Sequence, residues 1–175
     1  TSASSFAQSI GYDTTFRPNG YQARIAKFKT EPISKKDYVF LGNSITAGTD
    51  WSKLLGLPNA KNRGISGDIT FGVLDRLDEI IEGKPAKLFV LIGINDVSRN
   101  IPDSLIVRNY KNIIKRVRKG SKRTRIYFYT LLPVNKSFAK FNNHYNKDEH
   151  ILYLNQEIKK LAGKVKSHQS KPEVQ

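Results

Sequence analysis

From residue 38 onwards, short strand-like runs alternate with segments of helical periodicity, and this alternation restricts the fold more than any other feature. The strand-like runs are Tyr38–Leu41, Asn59–Arg63, Lys87–Ile92 and Arg125–Leu131. The run KLFVLI is continuously apolar, which is typical of a strand buried on both faces of a parallel sheet. Strands that alternate with helices through short connections predict an α/β fold with helices on both faces of a parallel sheet.

Three further segments repeat apolar residues at spacings of three and four, which predicts helices buried on one side. The turn at Pro102 and Asp103 opens the second of them. The apolar positions are Val73, Leu74, Leu77, Ile80 and Ile81 in the first segment, Ile106, Tyr110, Ile113, Ile114 and Val117 in the second, and Ile151, Leu154, Ile158, Leu161 and Val165 in the third.

The length of 175 residues and the hydrophobic content of 38% fit one domain with a sizeable core. Residues 1–36 are polar and weakly periodic, so we interpret them as an N-terminal extension that precedes or packs on a domain spanning 37–175. The longest apolar run, 88–94, is far shorter than the ~20 residues of a membrane helix, so no membrane span is predicted.

The residue types at the start of the chain bear on its location. The sequence has no cysteine, which excludes disulfides and thiolate metal sites. It begins with Thr1 rather than methionine, and its opening TSASSFAQS is small and polar. Such an opening is typical of residues that follow a cleaved signal peptide and favours export, periplasmic or secreted, with a cytoplasmic location as the alternative.

The formal net charge is +15, and much of it lies in two basic runs. Nine Lys and Arg residues without an acid fall between Arg108 and Arg125, and a second acid-free run extends from Lys159 to Lys171. A polyanion-binding surface is one interpretation. We favour the solvated faces of amphipathic helices, because the sequence shows no nucleic-acid-binding motif and no interleaved aromatic residues. Nucleic acid is therefore not a predicted partner.

Three polar, glycine-containing segments follow three of the predicted strands. They are 42–44, 64–68 and 93–96. Parallel crossovers are right-handed, so the carboxyl ends of the strands fall on one rim of the sheet. Ligands of such sheets bind outside these carboxyl ends. We therefore expect the three segments to converge on one site.

The first two segments each have a structural and a catalytic interpretation. Ser44 after a strand fits a nucleophile, and it also fits a helix N-cap. Gly64 and Gly67 allow a backbone N–H to approach a ligand without a Cβ in the way. The plainer alternative is a strand-to-helix turn that is capped by Asp68 or Thr70.

The third segment completes a possible oxyanion site. Asn95 offers a side-chain amide, although an Asx turn formed by Asn95 or Asp96 has the same local pattern. Acyl transfer at a serine requires hydrogen-bond donors aimed at the tetrahedral oxyanion. The N–H groups of Ser44 and Gly67 and the amide of Asn95 supply three such donors.

The motifs FLGNSITAG, NRGISGD and LIGINDVSRN resemble the first three sequence blocks of the SGNH (GDSL-type) hydrolases, in the same order. The later segments LLPVN and NNHYNKDEHILYLN resemble the branch of acetylhydrolase-like and sialate O-acetylesterase-like proteins. The resemblance extends from about Tyr38 to the 151–165 helix. It implies a flavodoxin-like, three-layer α/β/α fold and ester hydrolysis without a metal or cofactor.

The resemblance also implies residue roles. Ser44 would be the nucleophile, and the N–H groups of Ser44 and Gly67 with the Asn95 amide would form the oxyanion hole. Three neighbours would brace these loops: Asn43, Asp68 and Asp96. The first block reads Gly-Asn-Ser where the family name implies Gly-Asp-Ser, and asparagine preserves much of the hydrogen bonding of aspartate.

A second departure concerns the general base, which the family carries in a C-terminal Asp-x-x-His motif. The sequence has no such motif, and Asp148 and His150 are too closely spaced to form one. We do not expect His144, His150 or His168 to act as the base. We expect a fold that lacks its last strand and helix, a fragment of a longer hydrolase, and little activity in these 175 residues alone, since a serine without a base is a poor nucleophile.

The predicted function is a serine esterase acting on small acyl esters, with O-acetyl groups on carbohydrates as the expected substrate. A lipid or thioester acyl hydrolase is the alternative within the same class, with Trp51, Leu54 and Leu55 as the apolar candidates. Two other classes stay open: a non-catalytic binding module that kept the oxyanion loops, and a polyanion-binding protein.

Overall fold

The structure is a computed structural model that describes residues 11–133 and 146–166. Within these ranges four parallel strands form one sheet in the order β2-β1-β3-β4. The strands coincide with the four predicted runs, to within three residues at their ends. Their bounds are Tyr38–Gly42 for β1, Ala60–Gly64 for β2, Lys87–Leu91 for β3 and Arg125–Phe128 for β4.

Eight helices accompany the sheet in the described ranges. Those that flank or follow the strands confirm the predicted α/β fold. The helices are α1 (Tyr21–Lys29), α2 (Ser44–Ala47), α3 (Trp51–Leu55), α4 (Thr70–Asp75), α5 (Leu77–Gly83), α6 (Ile94–Ser98), α7 (Asp103–Gly120) and α8 (Asp148–Lys166).

The main core lies between one face of the sheet and the helices α4, α5, α7 and α8. Alternate strand residues, such as Leu41 and Val90, point into it, because successive side chains of a strand face opposite sides. The helical stripes supply the other half of the core, including Ile113 and Leu154, both fully buried. The periodicity in the sequence therefore identified the buried side of α7 and α8.

The opposite face of the sheet carries a row of stacked aromatic rings. The Phe40 ring lies 4.1 Å from that of Trp51 on α3 and 4.8 Å from that of Phe89. Tyr127 of β4 extends the row, 4.9 Å from Phe89. This stacking anchors α3 to the second face, which places helices on both sides of the sheet.

The N-terminal residues contribute α1, which packs beside the end of β2. Tyr21 and Phe28 of this helix form a small buried cluster with Ile65. The Tyr21 hydroxyl donates to the Gly72 carbonyl at 2.6 Å, and this bond ties α1 to α4.

The prediction of one continuous helix over 73–81 is wrong, because the chain leaves the helical path at Arg76. That residue has φ −111° and ψ 17° and separates α4 from α5. Its side chain is buried under the carboxyl ends of β1 and β2, where it donates to backbone carbonyls. Apolar periodicity continues across the break, so the spacing of apolar residues did not reveal it.

β4 ends at Phe128, three residues before the end of the predicted run. Beyond it, the Leu131 N–H donates to Asn155 Oδ1 at 2.6 Å, and the Leu131 carbonyl accepts from Asn155 Nδ2 at 2.9 Å. A side chain of α8 therefore satisfies the backbone groups that a neighbouring strand would otherwise pair.

Candidate active site

The candidate site lies at the carboxyl ends of three adjacent strands, with β1 in the centre. β1 ends at Gly42, β2 at Gly64 and β3 at Leu91, and the paired registers bring these ends level. Ser44 follows the central strand by two residues. The expected convergence of the three polar segments on one rim is therefore present.

Ser44 is the first residue of α2, and its neighbour Asn43 is the N-cap. Asn43 Oδ1 accepts from the Ile45 N–H at 3.1 Å, so the interpretation of Ser44 as the N-cap is wrong. The side chain of Ser44 is exposed at the rim. Asn43 is buried and performs with an amide oxygen the capping that a carboxylate would perform.

Two glycines let α2 rest directly on the strand ends. A Cβ on Gly64 would clash with the backbone of Ala47 in α2. A Cβ on Gly42 would clash with the Thr46 side chain of α2 and with the Leu91 carbonyl of β3. Such clashes with backbone atoms exclude any side chain. The position of Ser44 is therefore fixed by close contacts of α2 with the ends of β1 and β2.

Gly67 lies in a tight turn closed by a hydrogen bond from the Asp68 N–H to the Ile65 carbonyl, at 3.1 Å. Its φ of +80° belongs to the left-handed region that favours glycine. Among the described residues neither the Gly67 N–H nor the Ser44 N–H has an acceptor. Both donors remain available to a ligand.

Asn95 connects the third segment to the second. Its Nδ2 donates to the Asp68 carbonyl at 2.8 Å, across 27 positions of sequence, so the Asx-turn interpretation is wrong for this side chain. A side-chain amide has two N–H donors, and this bond uses one. The other is left for a ligand, and the bond holds the amide beside the Gly67 turn.

Asp68 and Arg76 form a buried ion pair beneath the site. Arg76 Nε donates to Asp68 Oδ2 at 2.9 Å, and both side chains are almost fully buried. Burial raises the pKa of Asp68, and the attraction of the Arg76 cation opposes this rise. Arg76 also donates to the Gly42 carbonyl at 3.2 Å and to the Arg63 carbonyl at 2.8 Å.

Sequence reasoning missed Arg76, which joins the ends of two strands to the turn that carries Gly67. The available signal was its charge: Arg76 lies directly before Leu77 in an apolar stripe, where a cation is rarely buried unless it is paired.

Asp96 is buried under the rim and holds the start of α4. It accepts from the Thr70 N–H at 3.0 Å and from the Thr70 hydroxyl at 2.5 Å. The position before the helix is Ile69, which has no capping side chain, so the prediction that Asp68 or Thr70 caps this helix is wrong. Burial raises the pKa of Asp96 to about 7, against the effect of the bonds from Thr70.

The one histidine within the described ranges is His150, in the first turn of α8. Its Nδ1 lies 2.9 Å from Asp103 Oδ2 at the start of α7. The Ser44 hydroxyl has no hydrogen-bond partner in the part of the chain that the structure describes. His144 and His168 lie outside that part. No group of three His, Asp or Glu side chains suited to a metal ion occurs within residues 11–133 and 146–166.

Comparisons with known proteins cover most of the chain. A sequence profile of the GDSL-like Lipase/Acylhydrolase family matches residues 40–168. No curated protein matches the chain. A protein from Streptococcus pneumonia that is provisionally designated platelet activating factor is 28% identical with a TM-score of 0.72, over 82% of this chain and 69% of that chain.

Two other solved structures share the fold. A GDSL-like lipase from Bacteroides thetaiotaomicron VPI-5482 is 24% identical with a TM-score of 0.70, over 83% of this chain and 74% of that chain. A provisionally designated acylhydrolase from Bacteroides fragilis NCTC 9343 is 23% identical with a TM-score of 0.72, over 86% and 76%. At these identities the likeness concerns the fold alone.

Proposed function

Because this chain belongs to the GDSL-like lipase/acylhydrolase family and is an ester hydrolase, we propose that it is a serine esterase with Ser44 as its nucleophile. In the proposed reaction Ser44 Oγ forms a bond to the ester carbonyl carbon and loses its proton to a base. The tetrahedral intermediate expels the alcohol, which takes up a proton. Water then releases the acid from the acyl-serine.

The observation that carries the proposal is the hydrogen bond that joins segment 93–96 to segment 64–68. The Asn95 amide is bonded to the Asp68 carbonyl, next to Gly67, and it keeps one free N–H. With the unpaired N–H groups of Gly67 and Ser44, this gives three donors on one rim for the negative charge that develops on the carbonyl oxygen. Asn43, Asp68 and Asp96 act through the loops that carry these donors.

The base that accepts the Ser44 proton stays a prediction. His150 is bonded to Asp103 on α7, and none of the three histidines follows an aspartate in the Asp-x-x-His pattern. We propose that none of these histidines is the base. An oxyanion hole and substrate binding alone sustain about 10³-fold catalysis over water. This is the activity that we expect of a chain without a general base.

For the substrate we propose a small acyl ester, with an O-acetyl group on a carbohydrate as the expected case. A cavity of about 310 Å³ adjoins the site, and its walls are mixed in character. It is lined by Asn19, Gly20, Arg24, Ala47, Gly48, Ile65 and Ser66. Ala47 and Gly48 lie one helical turn beyond Ser44 on the same side of α2. Asn19, Arg24 and Ser66 supply this cavity with hydrogen-bonding groups that suit a hydroxylated alcohol.

A lipid or thioester substrate is the second candidate, because apolar side chains are exposed on α2 and α3, the two helices that follow β1. Ile45, directly after Ser44, is 45% exposed, and Leu54 on α3 is 65% exposed. Trp51, in contrast, is stacked on Phe40 and donates to the Thr46 carbonyl at 3.0 Å, so one face of its ring is already covered. A preference for long acyl chains would select this candidate.

The test is hydrolysis of p-nitrophenyl acetate by this chain and by the product of the full reading frame, each with and without Ser44→Ala. We expect turnover by the full-length protein, its loss in Ser44→Ala, and far slower turnover by the 175 residues. Absence of Ser44-dependent turnover would refute the serine esterase and favour a non-catalytic binding module. Equal rates for the short and long chains would refute the proposal on the base.

A series of p-nitrophenyl esters from acetate to octanoate separates the two substrate candidates. The proposal expects kcat/KM to fall as the acyl chain lengthens beyond acetate. A rise towards octanoate in the full-length protein would identify the lipid or thioester candidate instead.

A further inference from the structure

Five basic side chains surround one cleft at the amino-terminal end of the sheet. They belong to Lys35, Lys84, Lys119, Lys122 and Arg123, and the cleft has a volume of about 510 Å³. No Asp or Glu lines it. The lining segments precede β1, β3 and β4, whereas Ser44 follows the other end of β1, so this basic cleft and the candidate active site lie at opposite ends of the sheet.

The five cations do not share a helical face. Lys35 comes from the connection into β1, Lys84 from the connection into β3, and Lys122 and Arg123 from the turn into β4. From the sequence we favoured the solvated faces of helices as the reason for the basic runs. Of the five residues, only Lys119 lies on such a helix, α7, so that explanation does not account for the other four. Their convergence results from the parallel topology, which brings the amino ends of the strands together.

None of the five has a carboxylate within 4.0 Å in the part of the chain that the structure describes. Other basic residues do: Arg17 pairs with Asp75, Arg76 with Asp68 and Arg116 with Asp78. Clustered like charges repel each other, and a cleft lined by one sign of charge concentrates counter-ions. The uncompensated charge therefore favours a bound anion.

The frame under the cations is held by buried hydrogen bonds. The Thr124 hydroxyl donates to the Pro85 carbonyl at 2.6 Å and lies 2.6 Å from the Ser121 hydroxyl. The Thr124 N–H closes the turn onto the Ser121 carbonyl at 3.1 Å. Within the described residues the N–H groups of Lys122 and Arg123, in the middle of this turn, have no acceptor, so they add two donors beside the cations.

Lys84 occupies a backbone conformation that normally favours glycine. It ends α5 in the left-handed region, with φ 52° and ψ 50°. Helices commonly end with glycine at such a position because a Cβ is strained there. A lysine at a strained position on the wall of a cleft points to a role for its charge.

We propose that the basic cleft binds a linear phosphate polymer of the polyphosphate type. Lysine ammonium groups act as point charges for phosphate, and several spaced cations suit a flexible chain of regularly spaced charges. No aromatic ring lines the cleft, so it offers no platform on which nucleic acid bases stack. The site lies at the end of the sheet opposite Ser44, and its occupation is independent of ester hydrolysis.

The first test is titration of the protein with inorganic polyphosphate at several salt concentrations, with orthophosphate as comparator. If four or five phosphates are neutralised, log K falls with log salt with a slope of about −3, as for single-stranded polyanions. Lys84→Glu/Lys122→Glu weakens binding by about tenfold or more. The control Lys29→Glu/Lys53→Glu removes the same charge from α1 and α3 and leaves affinity within about twofold.

Equal weakening in the two double variants would overturn the cleft as the site, as would a parent protein that fails to bind. Tighter binding of an oligo-dT of matched charge than of polyphosphate would overturn the choice of a base-free polymer. If the Glu variants fail to fold, Lys84→Gln/Lys122→Gln is compared with Lys29→Gln/Lys53→Gln in the same titration.

Lys84→Gly distinguishes a role of Lys84 in binding from a merely structural role. Glycine relieves the left-handed strain and removes one cation, so the melting temperature rises while affinity for polyphosphate falls. A rise in melting temperature with unchanged affinity would refute a role for Lys84 in binding.

Discussion

At the scale of single residues, two side chains of the candidate site, Asn95 and Asp96, are positioned by bonds to distant backbone rather than by their own loop. Asn95 reaches the Asp68 carbonyl, and Asp96 reaches the N–H of Thr70. Such bonds fix the direction of a donor before a substrate arrives. Donors that are already oriented need no reorganisation in the transition state, which is why they contribute strongly to acyl transfer.

Asn95→Ala in the product of the full reading frame removes one donor of the proposed oxyanion hole. We expect kcat on p-nitrophenyl acetate to fall by about 10²–10³ with little change in KM, because the lost bond forms fully only in the transition state. Steady-state kinetics measure both constants.

The matched control for Asn95→Ala is Ser98→Ala on the same helix. That substitution removes a hydrogen bond to the Asn95 carbonyl and leaves the Asn95 amide in place. A comparable loss of kcat in the control would show that the stability of α6, rather than the amide, matters. An unchanged kcat in Asn95→Ala would remove this residue from the proposed oxyanion hole.

At the scale of elements, the short helix α2 is held by what lies beneath it. Gly42 and Gly64 leave no space for a Cβ, and the Asn62 amide donates to the Thr46 carbonyl at 2.8 Å and to the Thr49 carbonyl at 2.9 Å. A helix of four residues is too short to be stable in isolation. These contacts with β1 and β2 therefore determine where Ser44 is presented.

Gly64→Ala should disturb the packing of α2 against the end of β2. The added Cβ meets the backbone of Ala47, which has no flexible end to move aside. Overpacking of this kind costs about 1–3 kcal/mol in the free energy of unfolding, measured by denaturant titration. We expect the displacement of α2 to lower esterase activity as well.

Gly11→Ala is the control, because a Cβ there has nothing within 4 Å. It should leave both the free energy of unfolding and the activity near those of the parent. If Gly64→Ala were as stable and as active as Gly11→Ala, α2 would not depend on the close approach described here.

At the scale of the whole molecule, two of the acidic side chains are buried beneath the site, whereas most of the unpaired Lys and Arg side chains in the described part of the chain are exposed. Asp68 and Asp96 are buried beneath the rim of the candidate site, and the buried Arg63 pairs with Glu79 at 2.7 Å. Much of the net charge of +15 therefore remains on exposed Lys and Arg side chains, including those of the basic cleft. Within the described ranges no helix is long and apolar enough to cross a membrane.

The buried carboxyl of Asp96 makes the global stability depend on pH. Its pKa is raised by burial from 3.8 to about 7, so the folded state holds this proton at pH values where the unfolded state has lost it. Its stabilising contribution is complete below the unfolded pKa and disappears as pH rises through about 7. Relative to Asp96→Asn, the free energy of unfolding of the parent should fall by at most about 1.4 kcal/mol per pH unit between the two pKa values, 3.8 and about 7.

Denaturant unfolding of the parent and Asp96→Asn at a series of pH values measures this difference. Asp50→Asn is a control of opposite sign, because hydrogen bonds from the Lys53 N–H and from Ser52 lower the pKa of that exposed carboxyl. The contribution of Asp50 to the free energy of unfolding is present above the unfolded pKa and disappears as pH falls through the lowered, folded pKa. A difference between parent and Asp96→Asn that stays flat from pH 4 to 7 would contradict the raised pKa of Asp96.

The sequence by itself determined the strands, the buried sides of α7 and α8, and the three segments that meet at the rim. These features follow from local periodicity and from glycines at strand ends, and the family motifs then selected Ser44, Gly67 and Asn95 as the catalytic candidates. The identity of the substrate stays a prediction, because small changes in the walls around Ser44 leave no periodic trace in the sequence.

Only the tertiary structure decided the break at Arg76, the capping of α4 by Asp96 and the convergence of five cations on the basic cleft. Each depends on contacts between segments that are far apart in the chain; the bond from Arg76 to the Gly42 carbonyl, for example, spans 34 positions. Local spacing constrains which face of a helix or strand is buried. It does not specify which distant backbone or charge that face will meet, because packing of the whole sheet sets those neighbours.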